Sequence, residues 1–217
     1  MLYLSYTRIL EPFSSQVFED YLVQLPATMQ SKVVQYRRWQ DSHTALMGKI
    51  ILKEMACTYY KIPDILHQIS YSPTKKPEVS GSLSFNISHS ENLVVCIIGE
   101  GQGLGVDVEK VTKVNFTDFQ DYMSATEWNQ IQLAKDPNHA FLNYWTQIEA
   151  AVKADGRGLN IPLKEVNIQN SMVTIGSSSW FTLEVNLIEG YTCHIATSDR
   201  LTSDELACFN YENLKPF

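Results

Sequence analysis

The stretch Gly105–Lys110, reading Gly-Val-Asp-Val-Glu-Lys, holds residue types whose spacing could do chemistry. On an extended segment Val106 and Val108 fall on one face and Asp107 and Glu109 on the other. Residues two apart on a strand lie roughly 6.5–7 Å apart, so two carboxylate heads can converge on one hard cation. A divalent ion such as Mg²⁺ suits such a site, taking one or two carboxylates with substrate phosphates and water. The same pattern describes an edge strand with a solvated acidic face, and the strand alone does not decide between them.

Four further segments carry polar groups that could contact a ligand. Trp145, Glu149 and Lys153 fall at i, i+4 and i+8, one face of a helix. Gly156 or Gly158, ahead of Leu159, supplies its stop. Read alone, this is also a surface Glu–Lys pair worth about 0.3 kcal/mol. Phe85-Asn86-Ile87-Ser88-His89-Ser90 starts as a strand and gathers Asn, Ser and His at its end, as a ligand contact or a turn would. Lys32, Arg37, Arg38, His43 and Lys49 place positive charge around the start of a long helix, whose N-terminus adds its own partial charge; a solvated basic rim has the same composition. Lys76 sits between Pro73 and Pro77, where the backbone is restricted.

Other chemistries find no support. Ser88 and His89 are adjacent on a strand and point to opposite faces, and there is no Gly-x-Ser-x-Gly elbow. The glycines at 101, 103 and 105 form no dinucleotide or P-loop fingerprint. The histidines at 43, 67, 89, 139 and 194 lack zinc-ligand spacing.

The elements that position these residues follow from periodicity. Strands are expected over residues 1–10, 83 onward to a Ser-His-Ser turn, 93–99 and 105–110, and then at 165–169, 172–175, 180–187 and 191–197. Helices are expected over about 15–25, in a short piece carrying Lys32, over 43–60 with Asp41 or Ser42 as N-cap, and through 116–143 into a helix at 140–155. Ser124-Ala125-Thr126-Glu127 reads as a capping box, making Glu127 a cap first and a functional carboxylate second.

Composition bounds the rest. At 217 residues, 44% apolar and 19% charged, the chain suits one or two globular units. A net charge of −7 argues against a general nucleic-acid binder. The longest apolar run, Leu93–Ile98, is too short for a bilayer, and the alternating N-terminus lacks the form of a secretory signal. Cys57, Cys96, Cys193 and Cys208 are scattered, which suits reduced thiols in a cytoplasmic protein.

Lys76-Pro77, Phe85–Ser90, Gly105–Lys110 and Trp145-x-x-x-Glu149-x-x-x-Lys153 with Gly156-x-Gly158-Leu159 stand in a fixed order. Together they resemble the Sfp-type 4′-phosphopantetheinyl transferases, from about Lys32 to about Leu159 and more loosely to both ends. The resemblance implies an α+β protein of two similar halves, 1–101 and 102–217, each a long helix on a small antiparallel sheet, with the active site in the cleft between them. It implies Mg²⁺ or Mn²⁺ on Asp107, Glu109 and Glu149, and Lys153 on the phosphates of coenzyme A. It implies a coenzyme pocket that includes Ser88, His89 and Lys76, with Lys32, Arg37, Arg38 and His43 among its basic groups. The expected activity moves the phosphopantetheine arm of coenzyme A onto a serine of an apo acyl or peptidyl carrier protein, releasing adenosine 3′,5′-bisphosphate. Glu149 is the expected base and the protein an expected monomer, binding neither nucleic acid nor membrane. One departure is Ile148, where the family has lysine. It leaves open a coenzyme A-binding homologue without transfer; a non-enzymatic α+β interaction module is the third reading.

Overall fold

The computed structural model describes residues 1–101, 103–158, 161–162 and 165–211. Gln102 of the glycine turn and Leu159 of the third motif lie outside them. The described residues form two compact units. One holds the chain up to Gly101 and again from Thr202, the other runs from Gly103 to Leu201.

The first unit opens with strand β1 (Leu2–Arg8) and helices α1 (Ser15–Leu22), α2 (Ala27–Val34) and α3 (Trp39–Tyr60). The hairpin β2 (Ser70–Tyr71) and β3 (Pro77–Glu78) leads into β4 (Leu83–Ser90) and β5 (Leu93–Glu100). β4, β5 and β1 are successive antiparallel neighbours. Leu46, Ile50, Ile51 and Met55 of α3 share a core with Phe85, Val94, Cys96 and Ile98 of the sheet. Gly48 sets the approach, since a Cβ there would come within 2.8 Å of the Ile87 side chain. Neither Asp41 nor Ser42 caps α3. The helix already begins at Trp39, and Ser42 donates its hydroxyl to the Val33 carbonyl at 3.1 Å, tying α3 to the end of α2. The Ser-His-Ser turn is also corrected, because pairing continues to Ser90 opposite Leu93 and only Glu91 and Asn92 make the link.

The second unit runs from β6 (Gly105–Lys110) through a 3₁₀ turn (Phe116–Tyr122) to helices α4 (Ala125–Gln132) and α5 (Pro137–Asp155). Strands β7 (Val166–Gln169), β8 (Met172–Ile175), β9 (Ser178–Glu184) and β10 (Tyr191–Thr197) complete it. Their order is β6-β10-β9-β8-β7, antiparallel throughout. Ala150, Ala151 and Ala154 of α5 pack on Val173, Ile175 and Ala196. The helix expected over 116–143 is divided into the 3₁₀ turn, α4 and the start of α5, its last break ending at Asp136-Pro137. Proline disfavours helix in the residue before it, and Asp136 instead caps α5, accepting from the His139 N–H at 3.1 Å. Each unit is thus a long helix on a mainly antiparallel sheet, an α+β fold of two similar halves.

The expected assignment of everything after residue 101 to the second half is corrected at the C-terminus. A strand absent from the sequence reading, β11 (Leu206–Asn210), pairs parallel with Leu2–Tyr6 and completes the sheet order β11-β1-β5-β4. Phe209 stacks on Tyr59 of α3 at 5.8 Å.

Candidate functional site

α5 can lie close on β6 because Gly105 has no side chain. A Cβ there would stand 2.0 Å from the Ala150 carbonyl oxygen and 2.6 Å from the Ala154 nitrogen. Strand alternation puts Asp107 and Glu109 on the same side as Gly105, beneath the helix. Lys153, in the last turn of α5 before its left-handed Gly156 cap, meets Asp107 with Nζ 2.6 Å from Oδ1. Asp107 is buried at 4% exposure, and a cation near a helix C-terminus also complements the helix dipole.

Glu149 stands one turn ahead of Lys153 and is half-buried. Burial raises its pKa above the usual carboxylate range, the Asp107 and Glu109 charges raise it further, and Lys153 works against both. The expected carboxylates therefore act on one another, and their all-oxygen chemistry fits a hard divalent cation. As the side chains stand, among the described residues no group of three acidic, His or Cys side chains is gathered closely enough to hold a metal ion. One Asp107 oxygen instead serves the Lys153 ammonium.

The face beneath α5 also holds a pair that the sequence did not reveal. His194 on β10 lies directly opposite Asp107, and its Nδ1 is 2.9 Å from the hydroxyl of Thr146, three residues ahead of Glu149. Burial lowers the His194 pKa to about 4, so the ring is neutral near pH 7. Thr146 is fully buried, and only the register of β10 on β6 brings His194 to this place.

Two motif residues are structural. Trp145 packs in an aromatic cluster with Phe119 and Phe141, at 5.0 and 6.1 Å between rings. Glu127 closes the capping box, accepting from the Ser124 N–H at 2.7 Å while the Ser124 hydroxyl accepts from its own N–H at 3.2 Å. Ile148 is 4% exposed, a core position. A cavity of about 640 Å³ between α4, the first half of α5 and Glu184 is lined by Glu127 but by none of Asp107, Glu109, Glu149 or Lys153.

The remaining expected residues lie in the first unit. Lys32 is exposed in the last turn of α2, its ammonium 4.9 Å from the centroid of the Tyr71 ring. Arg37 and Arg38 are exposed at the link into α3. Lys76 is half-exposed at the end of a turn locked by Ser72, whose hydroxyl accepts from the Lys76 N–H at 3.0 Å. Ser88 is buried and His89 exposed, on opposite faces of β4. His43 is corrected as a member of the basic rim. It is 7% exposed, ringed by Phe13, Phe18 and Trp39, and its Nε2 accepts from the Phe13 N–H at 3.1 Å. Burial lowers its pKa, so it is a neutral core residue holding the N-terminal loop. Lys49 was read only as part of the rim; it is half-buried on α3, and burial followed by the nearby Lys32 charge brings its pKa to about 8.

Two family profiles cover the chain in succession. "4'-phosphopantetheinyl transferase, N-terminal" matches residues 11–100, and "4'-phosphopantetheinyl transferase superfamily" matches residues 103–199. The chain is 23% identical to the 4'-phosphopantetheinyl transferase Sfp of Bacillus subtilis, over 94% of this chain and 95% of that protein. It is 25% identical to the 4'-phosphopantetheinyl transferase gsp of Aneurinibacillus migulanus, over 89% and 84%. The L-aminoadipate-semialdehyde dehydrogenase-phosphopantetheinyl transferase of Candida glabrata is 28% identical, over 92% and 80%.

Proposed function

The chain belongs to the 4′-phosphopantetheinyl transferase superfamily, and from that premise we propose that it moves the phosphopantetheine arm of coenzyme A onto a serine hydroxyl of an apo acyl or peptidyl carrier protein. The observation that carries this reading is the meeting of Asp107, Glu149 and Lys153 where α5 crosses β6. The serine oxygen forms the new bond to phosphorus, the pyrophosphate bond breaks, and adenosine 3′,5′-bisphosphate leaves. Such a reaction depends chiefly on positioning and on neutralising charge at the phosphate oxygens.

Asp107, Glu109 and Glu149 are the residues that would hold Mg²⁺ or Mn²⁺, which supplies Lewis acidity and charge neutralisation to the pyrophosphate. Lys153 holds a phosphate oxygen as negative charge builds on it, its ammonium already fixed at the site by Asp107. Glu149 accepts the serine proton, an assignment supported by a carboxylate made more basic by burial and acidic neighbours. Lys32, Arg37, Arg38, Lys76, Ser88 and His89 hold the coenzyme.

The reading carries with it a cytoplasmic monomer. Its cysteines are free thiols, and no helix among the described residues is long and apolar enough to cross a membrane. Ile148 weighs against the binding-only alternative, because its buried position is part of the packing and not a gap in an exposed row of cations. The test is release of adenosine 3′,5′-bisphosphate from coenzyme A in the presence of an apo carrier. Release that stops with EDTA and with Glu149→Gln supports the assignment. Release unaffected by either would require a different base and no metal.

A further inference from the structure

Thr192 is a buried hydroxyl set against the acidic strand. Thr192, His194 and Ala196 of β10 alternate onto one face of the sheet. That face lies under α5, because Ala196 packs with Ala150 and Ala154 and His194 bonds to Thr146. In the register of β10 on β6, His194 stands opposite Asp107 and Thr192 opposite Glu109. The register of β10 on β9 begins at His194, so the cross-strand neighbour of Thr192 is Glu109. Directly opposed residues carry their Cβ atoms on the same side of the sheet, about 5 Å apart, a gap that a glutamate side chain spans.

The two β10 side chains that face the carboxylates are used differently. The Thr146 hydroxyl donates to the Asn143 carbonyl at 3.1 Å, so its oxygen accepts from the His194 Nδ1–H at 2.9 Å. Thr192 is 2% exposed, and among the described residues its Oγ1 has no hydrogen-bond partner. Such a hydroxyl has given up its hydration for nothing, and valine would fill the same space without that cost. The group that suits it is an ionised carboxylate, which only accepts and makes the stronger, charge-assisted bond. Glu109 is half-buried near the end of β6, and its long side chain has rotamers to lose when it binds an ion. Carboxylates that hold metal ions are themselves oriented by hydrogen bonds from neighbouring groups.

We propose that Thr192 is a positioning residue: its hydroxyl donates to one oxygen of Glu109 and leaves the other aimed at the divalent ion. The inference rests on the transferase reading above, in which Glu109 is one of the three carboxylates for that ion. It adds a residue from a strand that the motifs do not contain.

The test titrates Mn²⁺ into the whole protein with coenzyme A present, against a coenzyme-only blank, and reads unbound Mn²⁺ by its paramagnetic resonance signal. Wild type, Thr192→Val and Thr192→Ser are compared. Thr192→Val, which keeps the shape and loses the donor, weakens Mn²⁺ binding about tenfold or more, while Thr192→Ser stays within about twofold of wild type. Without metal the melting temperature of Thr192→Val is equal to wild type or higher, and the rise that Mn²⁺ brings is smaller. Transfer by Thr192→Val needs about tenfold more Mg²⁺ and reaches the wild-type kcat once Mg²⁺ saturates. Equal Mn²⁺ affinity in all three proteins would overturn the inference and leave the transferase reading intact. Thr192→Ser as weak as Thr192→Val would also overturn it, by placing the effect on the methyl group. A wild type that binds no Mn²⁺ would overturn it together with the metal assignment on which it rests.

Discussion

Replacing Lys153 with methionine removes the ammonium held 2.6 Å from Asp107, and the loss should fall on transfer more than on folding, because the lysine side chain is 30% exposed. Turnover is expected to drop about 100-fold or more, read as initial rates at saturating coenzyme A. Ile148→Lys tests the departure from the family motif. A lysine at a 4% exposed position buries a charge, so stability should fall by about 3 kcal/mol with no gain in turnover, checked by denaturant melts. His194 supplies a pH test. Its folded pKa is about 4 against about 6.5 unfolded. Between those values the unfolded chain binds a proton that the folded chain refuses, so the ring's contribution to stability is lost as pH falls from 6.5 to 4. His194→Gln, which cannot titrate, should flatten the melting temperature over that window; an unchanged slope would contradict the burial of the ring. Asp107, Glu149 and Lys153 were legible in the sequence because period two and i, i+4 spacing survive in one dimension. His43 was misread because a histidine among basic residues looks the same whether it turns out to a ligand or inward to Phe13 and Phe18. His194 was missed because its place depends on register.

At the scale of elements, the meeting of β6 and α5 decides whether the site exists. Gly105→Ala puts a Cβ against the backbone of Ala150 and Ala154, where no rotamer change relieves the clash. The cost should be about 3 kcal/mol in chemical denaturation, with transfer lost in whatever protein still folds. An alanine variant of normal stability would mean that helix and strand do not approach this closely. The long helices and the acidic strand could be read because their apolar periodicities are strong. Their ends could not, because local contacts set them: Ser42 looked like a cap and instead holds Val33, while Pro137 divided an otherwise continuous helical pattern.

At the scale of the molecule, the chain returns to where it began. β11 covers the edge of β1 and contributes Phe209 to the aromatic packing on Tyr59, a pairing between residues about two hundred positions apart that no local signal could announce. Ending the chain at Leu201 should expose the β1 edge and lower the melting temperature of the first unit, seen as faster proteolysis within residues 1–101. Equal protease resistance would mean that the strand is dispensable. The transferase account itself is tested most directly by incubating the protein with coenzyme A, Mg²⁺ and apo carrier proteins of fatty-acid, polyketide and peptide type, and weighing each carrier intact. The account predicts that at least one carrier gains one phosphopantetheine unit, and that the gain disappears with Asp107→Ala. A full gain with Asp107→Ala, or none on any carrier when wild-type protein is used, would contradict it.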